Sequence, residues 1–407
     1  MQGQETEMEP FSPAFQANPY PFYEQIRATD PIYQVTLPHG GRAWWITGYA
    51  DSEAALKDSR LTKNPQVSLP PDLVEKYGSG LLEFFELITS HMLYTDPPSH
   101  TRLRTLIGKA FTPALIEQWR ERVQVYADEL LDAVQDQGEM ELITDFASPI
   151  PMMVISEMLG IPTRDQEQFR DWTTMLVGNT ADLRTLLPLL PQAQAFVDYL
   201  YALIGQRRLQ PQTDDLVSKL VQAEAEGEKL SERELISMIF LLIIAGYETT
   251  VNLISNGLLS LLQHPEQLAL LKSDPSLLKP AIEELLRYNG PGFAATNRWA
   301  NEDFELGGKL IRRGELVVVV LASANRDEQQ FSHANELDIT RRENRHLAFG
   351  KGIHYCIGAP LARLEGQIAL GTLLRRFPNI QLDGDAQALR WRSGVLIHGL
   401  EALPVRF

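Results

Sequence analysis

The amino-acid sequence predicts a mainly α-helical fold with a smaller β-rich part (α+β), organised as a single large domain, residues 1–407, around one long central helix. From residue 99 to about residue 226 the apolar residues recur with a helical period, and prolines fall between the periodic segments. Strand-like runs gather toward the two ends of the chain. Since no repeat, low-complexity stretch or linker separates these parts, we expect them to fold together.

The shorter elements follow from local patterns. Residues 20–30 predict a helix, and residues 32–37 and 43–47 predict two strands, joined by His39-Gly40-Gly41 as a hairpin turn. The other expected elements, in chain order, are a helix over 51–59, a loop with a short helix over 67–90, an irregular and mobile connection over 160–191, strands over 304–311 and 316–321, and a β-rich tail over 380–405.

The central helix has both a start signal and a stop signal. Ser231 and Glu234 have the spacing of a capping box, and His264-Pro265 ends the periodic segment. About 33 residues at a rise of about 1.5 Å each would span roughly 50 Å, enough to cross a whole domain. Residues 236–245 are apolar nearly all round, which indicates a buried helix.

Composition and charge exclude several classes of protein. The chain is 44% hydrophobic and 22% charged, and its net charge of −16 argues against general nucleic-acid binding. A single cysteine excludes an intramolecular disulfide and fits a reducing compartment. The first ten residues are acidic and lack the apolar core of a signal peptide, and the longest apolar run, residues 238–245, is far shorter than a membrane span. We expect a soluble, cytoplasmic protein without membrane partners.

The lone cysteine, Cys356, stands in a glycine-rich stretch, residues 349–358, directly before a predicted helix. A thiolate is favoured there because the helix N-terminus carries partial positive charge and free N–H groups. A metal held by one thiolate, with no second cysteine, suggests haem more than zinc or an iron–sulfur cluster. The alternative, a buried structural cysteine, is the usual role of a lone cysteine.

The central helix carries an acid and two hydroxyls inside its buried stretch, in the sequence Ala245-Gly246-Tyr247-Glu248-Thr249-Thr250. One interpretation is structural: the glycine allows close packing, and the threonines bond back to carbonyls one turn earlier. The other is functional: the helix is locally opened beside a ligand, and Glu248 and Thr249 supply protons. The cysteine loop favours the functional interpretation.

Taken together, these motifs resemble a known family, the haem-thiolate monooxygenases called cytochromes P450. Residues 349–358, Phe-Gly-x-Gly-x-His-x-Cys-x-Gly, match the family's haem-binding loop at every expected position. Residues 245–250 resemble its oxygen-activation motif, and residues 284–287 resemble its Glu-x-x-Arg helix. Residues 91–104 are similar to its helix that covers a haem edge, and residues 338–341 to the segment that supplies a partner arginine. The likeness covers essentially the full chain and is greatest to the soluble bacterial branch that tailors macrolides and polyketides.

The resemblance implies haem b, iron protoporphyrin IX, as cofactor, with the Cys356 thiolate as axial ligand of the iron. Phe349 would shield the sulfur, and Gly350 and Gly358 belong to the same haem-binding loop. The haem propionates need cationic partners, which the resemblance assigns to His100, Arg104, Arg298 and His354. Each of these four, taken alone, is more often a surface charge or a satisfied histidine.

The reaction implied by the resemblance is insertion of one oxygen atom from O2 into a C–H bond. Thr249 would hydrogen-bond the bound oxygen, and Glu248 would relay protons from solvent. Glu284 and Arg287 would form a buried structural ion pair; the alternative is a surface pair worth about 0–1 kcal/mol.

Electrons must come from a separate protein, a ferredoxin or a flavodoxin, because no G-x-G-x-x-G stretch stands in a strand-to-helix setting. Four cations would form a basic patch for this acidic partner, although scattered solvated charges explain them equally well: Arg102, Lys109, Lys351 and Arg363.

The substrate pocket, by the same resemblance, has walls formed by residues 67–92, 165–190, 239–245, 293–296 and 395–397. Its inner positions are apolar and two of them are small: Ile243, Ile244, Phe293, Ala294, Ala295 and Leu396. This favours a medium or large apolar molecule, such as a polyketide, a steroid or a fatty acid.

Three alternatives compete with this interpretation. A peroxygenase of the same fold would use hydrogen peroxide, but such members usually lack the acid–alcohol pair present here as Glu248 and Thr249. A non-catalytic haem gas sensor or carrier needs neither that pair nor a substrate pocket. A helical binding protein without haem is the third alternative.

Overall fold

The computed structural model describes residues 9–37, 40–63, 84, 86–179, 187–210, 215–225, 230–394 and 396–407. Its internal contacts divide the chain into two compact units. Unit 1 comprises Met1–Thr62, Gln124–Ala147 and Thr249–Phe407, and unit 2 comprises Lys63–Val123 and Ser148–Glu248. The expectation of one domain over residues 1–407 stays a prediction.

Helices dominate the described part of the chain, as the sequence predicts. In chain order they are α1 Pro13–Ala17, α2 Tyr20–Thr29, α3 Tyr49–Ala55, α4 Ser99–Ala110, α5 Pro113–Gln118, α6 Arg120–Val134, α7 Pro149–Met158, α8 Gln166–Asn179, α9 Leu190–Leu209, α10 Leu216–Ala225, α11 Glu232–Gln263, α12 Pro265–Ser273, α13 Leu278–Asn289, α14 Leu321–Ala324 and α15 Ala359–Arg376. A π-helical turn, Ile143–Ala147, precedes α7, and a 3-10 turn, Gly352–His354, precedes α15.

The strands are short and belong to unit 1. They are β1 Ile32–Thr36, β2 Arg42–Ile46, β3 Leu61–Thr62, β4 Glu139–Glu141, β5 Arg298–Ala300, β6 Phe304–Leu306, β7 Lys309–Ile311, β8 Leu316–Val319, β9 Gln381–Leu382 and β10 Pro404–Arg406. A five-stranded sheet has the order β1-β2-β8-β5-β3, with β2 and β8 parallel and the other pairs antiparallel. A second sheet has the order β4-β10-β9, and β6 and β7 form a hairpin.

Both faces of the five-stranded sheet are covered by apolar residues. On β8, Val317 and Val319 belong to one core cluster, whereas Val318 and the following Val320 belong to another. This alternation is the period of two that a strand imposes on its side chains. The second cluster also contains Trp45 of β2 and aromatic residues of α1 and α2, which anchors the N-terminal helices to the sheet.

The central helix of the sequence prediction is confirmed as α11. Its capping box is reciprocal: the Ser231 amide donates to Glu234 Oε2 at 2.8 Å, and the Glu234 amide donates to Ser231 Oγ at 3.2 Å. The helix is long and apolar enough to cross a bilayer, but 67% of its most apolar 18-residue window is buried inside the protein. Core helices of soluble proteins share this property.

The irregular connection predicted over residues 160–191 is wrong for most of its length. Helix α8 occupies residues 166–179, and Phe169, Thr173 and Leu176 are fully buried along one face at helical spacing. The Phe169 ring packs against Phe196 of α9 at 5.7 Å, so tertiary contacts stabilise a helix whose own apolar stripe is interrupted by threonine. Residues 180–186 lie outside the described part.

Other predicted boundaries need small corrections. The helix expected over 51–59 is α3 and ends at Ala55. The strand expected over 304–311 is the β6–β7 hairpin, because Gly307 and Gly308 both adopt positive φ and turn the chain. The hairpin residue His39 and most of the loop expected over 67–90 lie outside the described residues.

Candidate active site

The cysteine loop is shaped by two glycines with positive φ, Gly350 at 69° and Gly352 at 74°. A Cβ atom at Gly352 would lie 2.8 Å from the carbonyl oxygen of Leu56, so only glycine fits there. The loop is closed by the Cys356 amide, which donates to the Phe349 carbonyl at 3.0 Å. Gly358 is the N-cap of α15, as the sequence predicts.

The Cys356 side chain is exposed, which excludes the buried structural cysteine considered from the sequence. Its position three residues before α15 favours the thiolate. Among the described residues, no group of three or more His, Cys, Asp or Glu side chains is arranged to hold a metal ion. The exposed thiol of Cys356 at the start of a helix fits a haem iron with one thiolate ligand.

Helix α11 has an uncovered segment in the middle of its length. Residues 235–243 and 250–261 are buried, whereas Ala245 and Gly246 are exposed. Apart from its own helix backbone and its chain neighbours, no atom of the described residues lies within 4 Å of the Cβ position of Gly246, so these residues leave open space beside the turn. Glu248 and Thr249, two and three residues after Gly246, are half-buried. The functional interpretation of the motif predicts such an opening beside the acid and the hydroxyl.

The residue between Gly246 and Glu248 is held by a side-chain hydrogen bond. The hydroxyl oxygens of Tyr247 and Ser148 lie 2.5 Å apart. Ser148 is the N-cap of α7 and directly follows the π-helical turn. Within unit 2, this bond ties the uncovered turn of α11 to the start of α7.

The predicted propionate ligands fall into both units. In unit 2, His100 and Arg104 stand one turn apart on α4, and His100 is only 2% exposed. Burial, with the nearby Arg104, lowers the pKa of His100, and Asp96 partly opposes this. In unit 1, Arg298 of β5 is 4% exposed and donates to the Thr296 carbonyl at 3.0 Å, and His354 ends the turn before Cys356. The cationic residues are thus buried or half-buried, as carboxylate ligands of a bound group need to be.

Known proteins resemble this chain over almost its whole length. The family model "Cytochrome P450" matches residues 84–396. The polyketide biosynthesis cytochrome P450 PksS of Bacillus subtilis (strain 168) is 44% identical, over 97% of this chain and 97% of its own. The cytochrome P450 monooxygenase PikC of Streptomyces venezuelae is 42% identical, over 97% of this chain and 92% of its own. The crystal structure of myxobacterial cytochrome P450 CYP267B1 in complex with myristic acid has a TM-score of 0.90 and 43% identity, and the match covers 98% of both chains.

The chain belongs to the cytochrome P450 family. It is a cytochrome P450 monooxygenase, an enzyme of a haem-thiolate family, and the predicted fold class is confirmed. The roles of the individual site residues stay predictions.

The Glu-x-x-Arg pair of this P450 is buried, as the resemblance implies. Glu284 and Arg287 on α13 are both 0% exposed, and Arg287 Nε and Nη2 donate to the two carboxylate oxygens at 2.8 and 2.7 Å. Arg341 adds a third charge, with its Nε 3.1 Å from Glu284 Oε2, and Asn344 Nδ2 donates to the same oxygen at 3.0 Å. The ion pair connects α13 to the segment that contains Arg341 and Asn344, so we assign it a structural role.

The four cations of the predicted docking patch differ in their surroundings. Arg102 pairs with Glu234, and Lys351 Nζ lies 3.6 Å from Glu53. Arg363 pairs with Glu283, and Lys109 is exposed at the end of α4. The carboxylate partners of Arg102, Lys351 and Arg363 oppose the charges of these three cations, and the patch stays a prediction.

Part of the predicted pocket wall can be located in unit 1. The amides of Phe293 and Ala294 both donate to the Leu396 carbonyl, at 2.8 and 3.4 Å, so two distant wall segments of the sequence prediction meet. The Phe293 ring is 2% exposed and stacks on His398 at 4.1 Å. Residues 67–83, residues 180–186 and Val395 lie outside the described part.

Sequence reasoning missed several buried polar residues of this P450. His398 lies between the Phe293 and Trp391 rings, 3.8 Å from the latter, and burial lowers its pKa to about 3. Glu365 on α15 is 2% exposed, and burial raises its pKa to about 8. Glu283 stands directly before the recognised Glu284, which is the one signal that the sequence offers for it.

Proposed function

We propose that this P450 inserts one oxygen atom from O2 into a C–H bond of a medium or large apolar molecule. The cofactor in this proposal is haem b, with its iron bound by the Cys356 thiolate. Electrons come from a separate ferredoxin or flavodoxin, and the enzyme works in the cytoplasm. When bound, the haem supplies the iron at which O2 is reduced and the C–H bond is oxidised.

The uncovered turn of α11 carries this proposal. Burial on both sides of Ala245 and Gly246 makes the opening a local feature, and it places an acid and an alcohol next to open space. A gas carrier does not require residues that deliver protons, whereas cleavage of the O–O bond does, and Glu248 and Thr249 are residues of that kind. Thr249 would donate a hydrogen bond to a molecule bound beside this turn, and Glu248 would pass protons from solvent toward it.

The chain's own residues prepare the haem site. The N-terminus of α15 stabilises the Cys356 thiolate, and the side chain is exposed. The residues that would bind the haem propionates are buried or half-buried: His100, Arg104, Arg298 and His354. Phe349 would keep water from the sulfur, and its carbonyl accepts the hydrogen bond of the Cys356 amide.

The substrate class rests on the apolar wall and on the relatives. PksS is named for polyketide biosynthesis, and CYP267B1 was solved with myristic acid. The half-buried side chains of Ala294 and Ala295 leave room beside the buried Phe293 ring. An extended apolar acyl or polyketide chain suits such a wall better than a compact charged molecule.

The first test is spectroscopic. The reduced protein with carbon monoxide should show the red-shifted Soret band of a thiolate-ligated haem, and Cys356→Ala should lose that band while keeping its helical circular dichroism. Failure of the wild-type protein to show the band overturns the proposed cofactor site.

The second test is turnover. Polyketides, steroids and fatty acids are screened for a shift of the haem spin state, and the best ligand is incubated with a surrogate ferredoxin, its reductase and isotopically labelled O2. The label should appear in the product. Product formed only with hydrogen peroxide identifies a peroxygenase, and no product from a ligand that shifts the spin state indicates a sensor or carrier.

A further inference from the structure

A half-buried ion pair joins α15 to α13 beside the cysteine loop. Arg363 stands seven residues after Cys356. Its guanidinium forms a bidentate ion pair with Glu283, in which Nε donates to Oε1 at 2.6 Å and Nη2 donates to Oε2 at 2.7 Å. The side chains are only 28% and 30% exposed. Although burial acts to raise the pKa of Glu283, hydrogen bonds from His346 and Arg363 lower it to about 2. Both partners are therefore charged at physiological pH.

The same guanidinium touches the loop at two places. Its carbon lies 4.5 Å from the centre of the Phe349 ring, a cation–π contact, and Nη1 lies 3.2 Å from the Tyr355 hydroxyl. Phe349 and Tyr355 flank the loop, and the Phe349 carbonyl accepts the Cys356 amide hydrogen bond. A displacement of Arg363 would thus be transmitted directly to the residue bonded to the cysteine backbone.

Glu283 holds the entry of the loop as well. Its Oε2 lies 3.1 Å from Nε2 of His346, whose side chain is 3% exposed. The other ring nitrogen, Nδ1, accepts from the Ala348 amide at 3.2 Å, one residue before Phe349. One carboxylate on α13 therefore orients a histidine before Cys356 and an arginine after it.

We propose that Arg363 and Glu283 are positioning residues that set the reduction potential of the haem iron through the cysteine loop. This inference rests on the proposed binding of haem by Cys356. Arg363 carries its positive charge against Phe349 and Tyr355, where it stabilises negative charge on the loop. Glu283 fixes the guanidinium in place and weakens its field by an opposite charge.

The two charges predict opposite effects on the potential. Reduction adds one negative charge to the iron–thiolate unit, and a nearby cation favours the reduced form. Arg363→Gln should therefore lower the potential, because the anion of Glu283 then acts alone. Glu283→Gln should raise it, because the cation is no longer compensated. A role in loop rigidity alone would shift both variants in the same direction, since either change loosens the loop.

Matched controls exist at the far end of the same helix. Arg376 pairs with Asp132 at 2.6 Å and stands thirteen residues after Arg363, roughly 20 Å along α15. Arg376→Gln and Asp132→Asn change the net charge by the same amounts as the two test variants, so they should leave the potential unchanged. An equal shift in these controls would assign the effect to total charge and overturn the inference.

The experiment is a spectroelectrochemical titration of the purified holoenzymes, with the carbon monoxide band recorded for each. If Arg363→Gln does not retain haem, Arg363→Lys is used instead. The lysine keeps the positive charge but loses the bidentate bonds to Glu283 and the contact with the Phe349 ring. Its reduction potential should differ from wild type by less than that of Glu283→Gln does. If Arg363→Gln and Glu283→Gln show the normal thiolate band and an unshifted reduction potential, the inference about Arg363 and Glu283 is overturned, and the proposed function is not. Loss of that band already in the wild type overturns the proposed function instead.

Discussion

The Tyr247 hydroxyl hydrogen-bonds the Ser148 hydroxyl at 2.5 Å, and Tyr247 stands directly before Glu248 on α11. Gly246 on its other side is exposed and has no side chain, so this bond is a side-chain restraint directly beside the uncovered turn. It couples the orientation of the turn to the N-cap of α7.

Removal of one hydroxyl should loosen this turn. We expect Tyr247→Phe to reduce the fraction of electrons that reach product about twofold to fivefold and to cost about 1 kcal/mol of stability. Ser148→Ala should do the same, and the double variant should lose no more than either single variant, because the two hydroxyls act through one bond. Additive losses in electron coupling would show that they act separately.

Thr249→Ala should separate oxygen reduction from substrate oxidation. The variant keeps the helix and the pocket wall, so substrate affinity and the spin-state shift should stay close to wild type. Without the Thr249 hydroxyl, proton delivery would no longer be directed by its hydrogen bond. We therefore expect most of the electrons to reduce O2 to hydrogen peroxide. The measurement is the ratio of product to NAD(P)H consumed, with Thr250→Ala as the control one position along the same helix. Undiminished coupling in Thr249→Ala would refute its role.

The stability of the protein should depend on the guanidinium of Arg287 in the buried Glu284–Arg287 pair, and not only on its positive charge. Arg287 also donates to the carbonyls of Asn325, Ala334 and Glu336, at 2.9, 2.7 and 2.9 Å, and a lysine cannot make these bonds. We expect Arg287→Lys to cost about 3–5 kcal/mol in the free energy of unfolding by urea.

The matched surface pair is Lys57 with Glu53 at 2.8 Å, where the side chains are 50% and 32% exposed. Lys57→Ala should cost about 0–1 kcal/mol. Similar losses in Lys57→Ala and Arg287→Lys would contradict the assignment of Arg287 to the core of the fold.

Local signals in the sequence predicted the parts of the site that are built from neighbouring residues. The capping box of Ser231 and Glu234 and the glycines of the cysteine loop act over three to seven positions, and the structure has both as predicted. Helix α8 was missed because Thr173 interrupts its apolar stripe, and the contact that stabilises it, Phe169 with Phe196, joins two helices. Propensity alone does not report such tertiary contacts.

The missed site residues have the same physical explanation. His398 is buried between Phe293 and Trp391, which joins residues about a hundred positions apart. Arg363 was read as a docking cation because its partner, Glu283, is eighty positions away. An arginine exposed to solvent and an arginine paired with a distant carboxylate give the same signal in a sequence, because each is one arginine on a helix.

Glu365 predicts a specific pH dependence of stability. Its side chain is 2% exposed, and within the described part of the chain its Oε2 has no hydrogen-bond partner. Burial disfavours the charged carboxylate and raises the pKa of Glu365 from its ordinary value of 4.5 to about 8. The folded protein therefore holds a proton on Glu365 that the unfolded chain releases near pH 4.5. The contribution of this group to stability is fully present below about pH 4.5 and is lost as the pH rises through about 8.

Glu365→Gln should remove this dependence, because the amide is neutral at every pH. Measured by urea unfolding against wild type, the variant should gain about 4 kcal/mol in relative stability between pH 5 and pH 8.5. The exposed Glu401→Gln is the matched control, and its difference from wild type should be small at both pH values. A Glu365→Gln difference that does not change with pH would mean that Glu365 is charged in the folded protein. A buried anion would then need a cationic or hydrogen-bonding partner for Oε2, which the described residues do not provide.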